Sequence, residues 1–166
     1  MEKTKVALVP WTGYATERVV QWMKAGITLL GGVKSLVAKE ARLLLKPNLL
    51  RRSDPAQAIV THPAVLEGMV RLLAENGYQN LSYGDSPGTG SMEKAASWAG
   101  MTELEERFGI RQGDFSRGVE AVYEEGGHAF SYGVCPAAME ADAIINLCKM
   151  KTHALQRITG AVKNLY

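Results

Sequence analysis

Hydrophobic residues in this chain fall into two patterns: short unbroken runs, and longer stretches where they recur every three or four positions. The first pattern predicts buried strands and the second amphipathic helices. Lys5-Val-Ala-Leu-Val9 ends at Pro10 and predicts a first strand, because proline cannot extend a ladder. Val19, Val20, Met23, Ile27 and Leu30 predict a helix from Thr16 to the Gly31-Gly32 stop, with a further turn or two over residues 33–39. Ala41-Arg-Leu-Leu-Leu45 predicts a second strand. Val65, Met69, Leu72 and Leu73 then form a helical stripe, with Thr61 as N-cap, Pro63 in the first turn and Gly77 as the stop. Asn80-Leu-Ser-Tyr83 predicts a third strand, and the next helix begins near Ser91.

The second half follows the same alternation with shorter elements. Thr102-Glu-Leu-Glu105 has the form of a capping box, and Gly109 ends that helix before Ile110 resumes extended structure. Glu120-Ala-Val-Tyr123 and His128-Ala-Phe-Ser-Tyr132 predict a hairpin at the sheet edge, turning at Gly126-Gly127. Pro136 to Met139 predicts a helical turn, and Ala143-Ile-Ile-Asn-Leu147 a last buried strand. The expected fold is α/β: a three-layer sandwich around a mainly parallel sheet, with an antiparallel hairpin at its edge. A length of 166 residues suits one domain, 1–166, able to bury roughly two-thirds of its unfolded surface.

Charge changes this picture in one place. The net charge of +2 is too small for a nucleic-acid binder. Yet from Ala143 onward there are four cations (Lys149, Lys151, Arg157, Lys163) and no carboxylate, whereas residues 1–142 carry 15 Lys and Arg against 17 Asp and Glu. Eight carboxylates against four cations over residues 91–126 read as a solvated outer face. No apolar run approaches the 18 residues of a membrane span, so neither a membrane nor a nucleic acid is an expected partner, and a cytoplasmic location follows by default. Cys135 and Cys148 cannot assemble a structural zinc site or an iron–sulfur cluster alone, so no cluster is expected in this chain.

Chemistry gathers at the predicted strand ends. Lys46 and Asn48 follow the second strand, Asp85, Ser86 and Gly88 the third, and Lys149, Lys151 and His153 the last. Carboxyl edges of open α/β sheets are where ligands bind, so these groups predict a cationic cleft with a glycine-rich floor, suited to a phosphate or carboxylate. His62 sits at a helix start, where the choice is between capping and a site role. Gly84-Asp-Ser-Pro-Gly88 imitates a hydrolase nucleophile elbow, with Asp142 and His153 following in order. Pro87, however, stands where the oxyanion hole needs a backbone N–H and has none. Neither a P-loop nor a dinucleotide fingerprint fits residues 84–93. His62, Asp85 and His153 are chemically able to hold a metal, but no metal site is assigned.

Lys46-Pro-Asn48, Thr61-His-Pro63, Gly84-Asp-Ser-Pro-Gly88, Lys151-Thr-His153 and Gly160-Ala-Val-Lys-Asn164 together resemble the domain of unknown function 362 family, in matching order. Many members are longer and carry a ferredoxin-like domain with two four-iron clusters. The resemblance implies that this chain is the N-terminal portion of such a protein or a short member, that Lys163 and Asn164 join the site, and that an electron-transfer partner is in play. The leading expectation is an anionic small-molecule ligand held by Lys46, Asn48, His62, Asp85, Ser86, Gly88, Lys163 and Asn164. Lys149, Lys151 and His153 are the catalytic candidates, and the cofactor is unknown. The alternatives are a metal-dependent enzyme using His62, Asp85 and His153, and a scaffold whose basic end docks a partner domain.

Overall fold

A computed structural model describes residues 4–125 and 128–166. Its centre is β1 (Leu43–Pro47), whose Leu43, Leu44 and Leu45 are all buried because strands flank its edges and other elements pack on both faces of the sheet. The parallel sheet has the order β3-β2-β1-β6, with β2 at Leu81–Tyr83, β3 at Arg111–Gln112 and β6 at Ala143–Leu147. Leu45 stands opposite both Tyr83 and Ile145, and β1 and β6 run on together to the Pro47–Leu147 pair, so the carboxyl ends of β2, β1 and β6 lie along one edge. That register brings the predicted strand-end groups to one edge.

One face of the sheet carries the main core: Leu43 and Leu45 pack with Leu66, Val70 and Leu73 of α3 (Pro63–Glu75) and with Ala95, Ala96 and Leu104 of α4 (Met92–Trp98) and α5 (Glu103–Phe108). The outer helix α1 (Thr16–Leu29) lies on α3 at Gly68, where a Cβ would stand 2.9 Å from a Val19 methyl and 3.1 Å from the Met23 sulfur. After α1 come Gly31 and Gly32, both at positive φ, and the short α2 (Val33–Leu36). Leu44 faces the other way, near Gly113 and Ala137, the latter in α6 (Pro136–Glu140). At the base of the core, Tyr83 donates to Glu105 at 2.6 Å, and burial followed by that bond pushes its hydroxyl pKa well up.

Residues 5–9 form no strand. Val6 and Leu8 stay 78% and 88% exposed, and no described segment pairs with them; β-branched composition favours extension, but a strand exists only with a ladder neighbour. Val9 lies instead beside Gly26 of α1. The N-cap of α3 is His62 rather than Thr61: its Nδ1 accepts the Ala64 N–H at 3.2 Å, and Thr61 is used elsewhere. Thr102 occupies the N-cap of α5 but already has helical dihedrals and makes no capping bond, so the capping box does not close. The acidic hairpin of β4 (Val119–Glu125) and β5 (His128–Val134) forms its own two-stranded sheet, and its Gly126-Gly127 turn lies outside the described residues. A second hairpin, β7 (Lys151–His153) with β8 (Arg157–Thr159), appears where only a loop is expected, followed by α7 (Ala161–Leu165).

Candidate functional site

Where β1 and β2 run out, Lys46 and Asp85 form an ion pair with side chains only 12% and 7% exposed. The second Asp85 oxygen accepts the Leu49 N–H at 2.7 Å. A carboxylate so deep needs both contacts, because an uncompensated buried charge costs several kcal/mol. Ser91 caps α4.

Thr61 ties the neighbouring strand ends together. Its Oγ1 accepts the Asn48 N–H and donates to the Leu147 carbonyl, both at 2.8 Å. Asn48 Nδ2 donates to Asn164 Oδ1 at 2.8 Å, and Asn164 Nδ2 reaches Asn146 Oδ1 at 2.9 Å and the Lys46 and Pro47 carbonyls. Asn146 in turn donates to the Ala161 carbonyl at 2.7 Å. These amide bonds fasten α7 to β6 and to the end of β1. Lys151 enters the same network from β7, donating to Asn48 Oδ1 at 2.7 Å and to the Ile59 carbonyl.

The charges around Lys151 are unbalanced. Burial lowers its pKa first; Asp85 opposes this, and Lys163, Lys149 and Arg51 push in the same direction as burial. Asp85 is already paired with Lys46, so four cations share a neighbourhood with one engaged carboxylate. At its rim, Lys149 donates to the Tyr14 hydroxyl at 3.0 Å, and the Tyr14 ring stacks on His62 with centroids 4.0 Å apart. Burial, then Lys149, lowers the His62 pKa. With Nδ1 capping α3, the His62 proton resides on Nε2.

Lys46, Asn48, Asp85, Lys151 and Asn164 are thus joined by direct bonds, and Lys149, Lys163 and His62 surround them. His153 is not bonded to this network: its Nδ1 accepts the Leu155 and Gln156 N–H groups at 3.2 and 3.0 Å and shapes the β7–β8 turn. Ser86 is exposed on a separate cavity of ≈ 480 Å³, shared with Met92 and Phe115. The Gly88 N–H is committed to the Leu50 carbonyl at 2.9 Å and is not free to cradle an anion. Asp142 binds Arg42 bidentately at the amino end of the sheet, opposite Ser86, so the imitation triad does not assemble; that partner pulls its carboxyl down to about 2. Among the described residues no three His, Cys, Asp or Glu side chains come together as metal ligands, so His62, Asp85 and His153 form no such set.

Tyr14, Thr61 and Asn146 escape the sequence reading. Asn146 alone leaves a trace, as a polar residue inside an apolar strand that must find a partner when buried. Thr61 reads as a cap because a threonine before His-Pro looks like one, and Tyr14 sits in a segment without periodicity.

Comparison with known proteins gives a match to the family described as "Domain of unknown function (DUF362)" over residues 43–166. The chain is 32% identical over 162 residues to the thylakoid-associated protein sll1697 of Synechocystis sp., a match that covers 97% of this chain and 49% of that protein. The chain therefore spans about half the length of that relative. No solved structure matches it.

Proposed function

We propose that this chain, which belongs to the domain of unknown function 362 family, binds an anionic small molecule at the carboxyl edge of its sheet. The observation that carries the reading is the Lys151 neighbourhood, where burial and the cations Lys149, Lys163 and Arg51 act on one ammonium and the nearest carboxylate is already engaged. A phosphate or carboxylate arriving there would relieve that repulsion. Lys149 would stabilise charge. Lys151, with its pKa lowered, would give or take a proton more readily than an exposed lysine, and His153 presents Nε2 as a donor.

The redox part of the reading rests on the family likeness. An iron–sulfur cluster needs four thiolates or their equivalents, and this chain has two free cysteines, Cys135 and Cys148. Any cluster would be held by another domain or protein, which would supply electrons to the ligand. Within this reading the chain works in the cytoplasm. Among its described residues no helix is long and apolar enough to cross a membrane.

A titration by calorimetry and thermal shift tests the site, with inorganic phosphate and citrate as probes. Stabilisation by either anion, abolished in Lys151→Met, is the expected result. Methionine keeps the aliphatic stem and removes a half-buried charge, so the variant should fold. If neither anion binds, or if both bind the variant equally well, the reading is wrong.

The scaffold alternative also has an observation in its favour. Ile158, Val162, Leu165 and Tyr166 are exposed, and three of them line a cavity of ≈ 630 Å³ together with Lys163. An apolar rim beside a basic cluster suits a docked domain. Against it, Lys46 and Lys151 are held in the network and do not splay into solvent.

A further inference from the structure

We infer that the β7–β8 ribbon is a phosphate-binding face, on which Arg157, His153 and Thr159 join Lys151. This rests on the anion reading above and gives its ligand a chemical class, a phosphate or phosphoester. The juxtaposition follows from register. Lys151 stands opposite Thr159, Thr152 opposite Ile158 and His153 opposite Arg157. Directly opposed residues of an antiparallel pair share a face, and successive residues alternate faces. Lys151, His153, Arg157 and Thr159 therefore lie on one side, with Thr152 and Ile158 on the other.

That side offers donors. Lys151 contributes an ammonium and Arg157 a guanidinium that enters no ion pair among the described residues. His153 accepts two turn N–H groups through Nδ1, which leaves Nε2 as the protonated nitrogen. Thr159 is 2% exposed, and its hydroxyl has no partner among the described residues. A buried hydroxyl without a partner is unusual in a folded protein, and a missing ligand is one of its ordinary explanations. No carboxylate occurs anywhere from residue 143 to 166.

The backbone adds a second argument. Arg157 sits at φ +66°, in the left-handed region that L side chains avoid and glycine enters freely. Shape alone would be met more easily by glycine, so the strain is accounted for by what the guanidinium does. Its planar fork suits paired phosphate oxygens. Four donors drawn from two strands outnumber what the two coplanar oxygens of a carboxylate can accept from one side and suit the three terminal oxygens of a tetrahedral anion better.

Arg157→Gly separates shape from chemistry. The glycine variant should melt at or above the wild-type temperature, since the strained φ is relieved, while its affinity for inorganic phosphate falls about tenfold to a hundredfold with the loss of a charge-assisted pair. Thr159→Val, which replaces the unpartnered hydroxyl with a methyl, should likewise keep its stability and lose affinity. Calorimetry would use the whole chain with inorganic phosphate and with acetate, alongside sedimentation with phosphatidylglycerol vesicles. Arg157-dependent binding to vesicles but not to free phosphate would assign the phosphate to a lipid headgroup. Phosphate binding lost in Lys151→Met but intact in Arg157→Gly and Thr159→Val overturns the ribbon and leaves the strand-end site standing. Equal affinity for acetate overturns the phosphate class, and the absence of any binding overturns both readings.

Discussion

The Lys46–Asp85 pair allows a sharp test of what holds the strand ends together. Asp85→Asn keeps an oxygen for the Leu49 N–H but leaves the Lys46 ammonium buried without its counter-charge; Lys46→Met leaves the carboxylate in the same position. With side chains 12% and 7% exposed, water screens neither partner well. Breaking such a pair from one side costs about 3–5 kcal/mol. For a chain of this size that is a fall in Tm of roughly 6–20 °C. The double variant Lys46→Met/Asp85→Asn removes both charges and keeps the acceptor for Leu49, so it should recover at least about 2 kcal/mol of the summed loss. Urea titrations followed by far-ultraviolet circular dichroism would give the cycle, provided the slope with denaturant stays constant across the four proteins. Single-variant losses that simply add, to within about 0.5 kcal/mol, would mean the two groups do not sense each other, and the description of the site as an ion pair at its base would fail.

Three further outcomes follow from the same geometry. The folded-state pKa of His62 lies below its ordinary value of 6.5, from burial and then from Lys149. The neutral ring is therefore favoured by folding, with its contribution complete above that value and lost as pH falls below it. Tm should decline between pH 8 and pH 5, and His62→Asn, which keeps a capping side chain, should flatten the decline; an unchanged slope would remove His62 as its cause. Thr61→Val strands the Asn48 N–H and the Leu147 carbonyl, a loss of about 2–4 kcal/mol in urea unfolding that Thr61→Ser should largely restore. Gly84→Ala would set a Cβ 2.4 Å from the Phe115 ring and 2.9 Å from the Met92 methyl. It should cost about 1–3 kcal/mol, and Phe115→Leu in the same chain should return part of it.

Much of this arrangement is legible in the residues themselves. Three adjacent leucines mark a strand buried on both faces, which holds for β1, whereas the apolar run of β6 leaves Ile144 40% exposed; polar residues close after the runs of β1, β2 and β6 mark their carboxyl ends, and both signals are matters of local composition. What fails is whatever depends on a partner. Residues 5–9 have strand composition but no neighbour. Thr61 has cap composition, yet a threonine hydroxyl between two strand ends satisfies two backbone groups there, and the imidazole of His62 takes over the cap. The β7–β8 hairpin is invisible because its strands are three residues long and its turn, Ala154-Leu-Gln156, contains no Gly, Pro, Asn or Asp. Arg157 carries the positive φ that a turn signal would normally advertise.

The two half-buried lysines of the site, Lys46 and Lys151, are compensated in opposite ways, and that contrast bears on function. Lys46 has a full counter-charge, so its burial is accounted for by the pair itself. Lys151 bonds directly to the neutral acceptors Asn48 and Ile59; the carboxylate that acts on it, Asp85, is already paired with Lys46, and further cations lie nearby. Neutral acceptors would be served as well by a neutral donor, which would avoid the desolvation that lowers the lysine pKa. A positive charge kept where the fold does not neutralise it needs a partner the fold does not supply. Lys151→Gln poses this directly: if Lys151 serves only to bridge Asn48 and Ile59, glutamine should preserve stability and anion binding together, whereas a charge held for a ligand predicts preserved stability with binding lost.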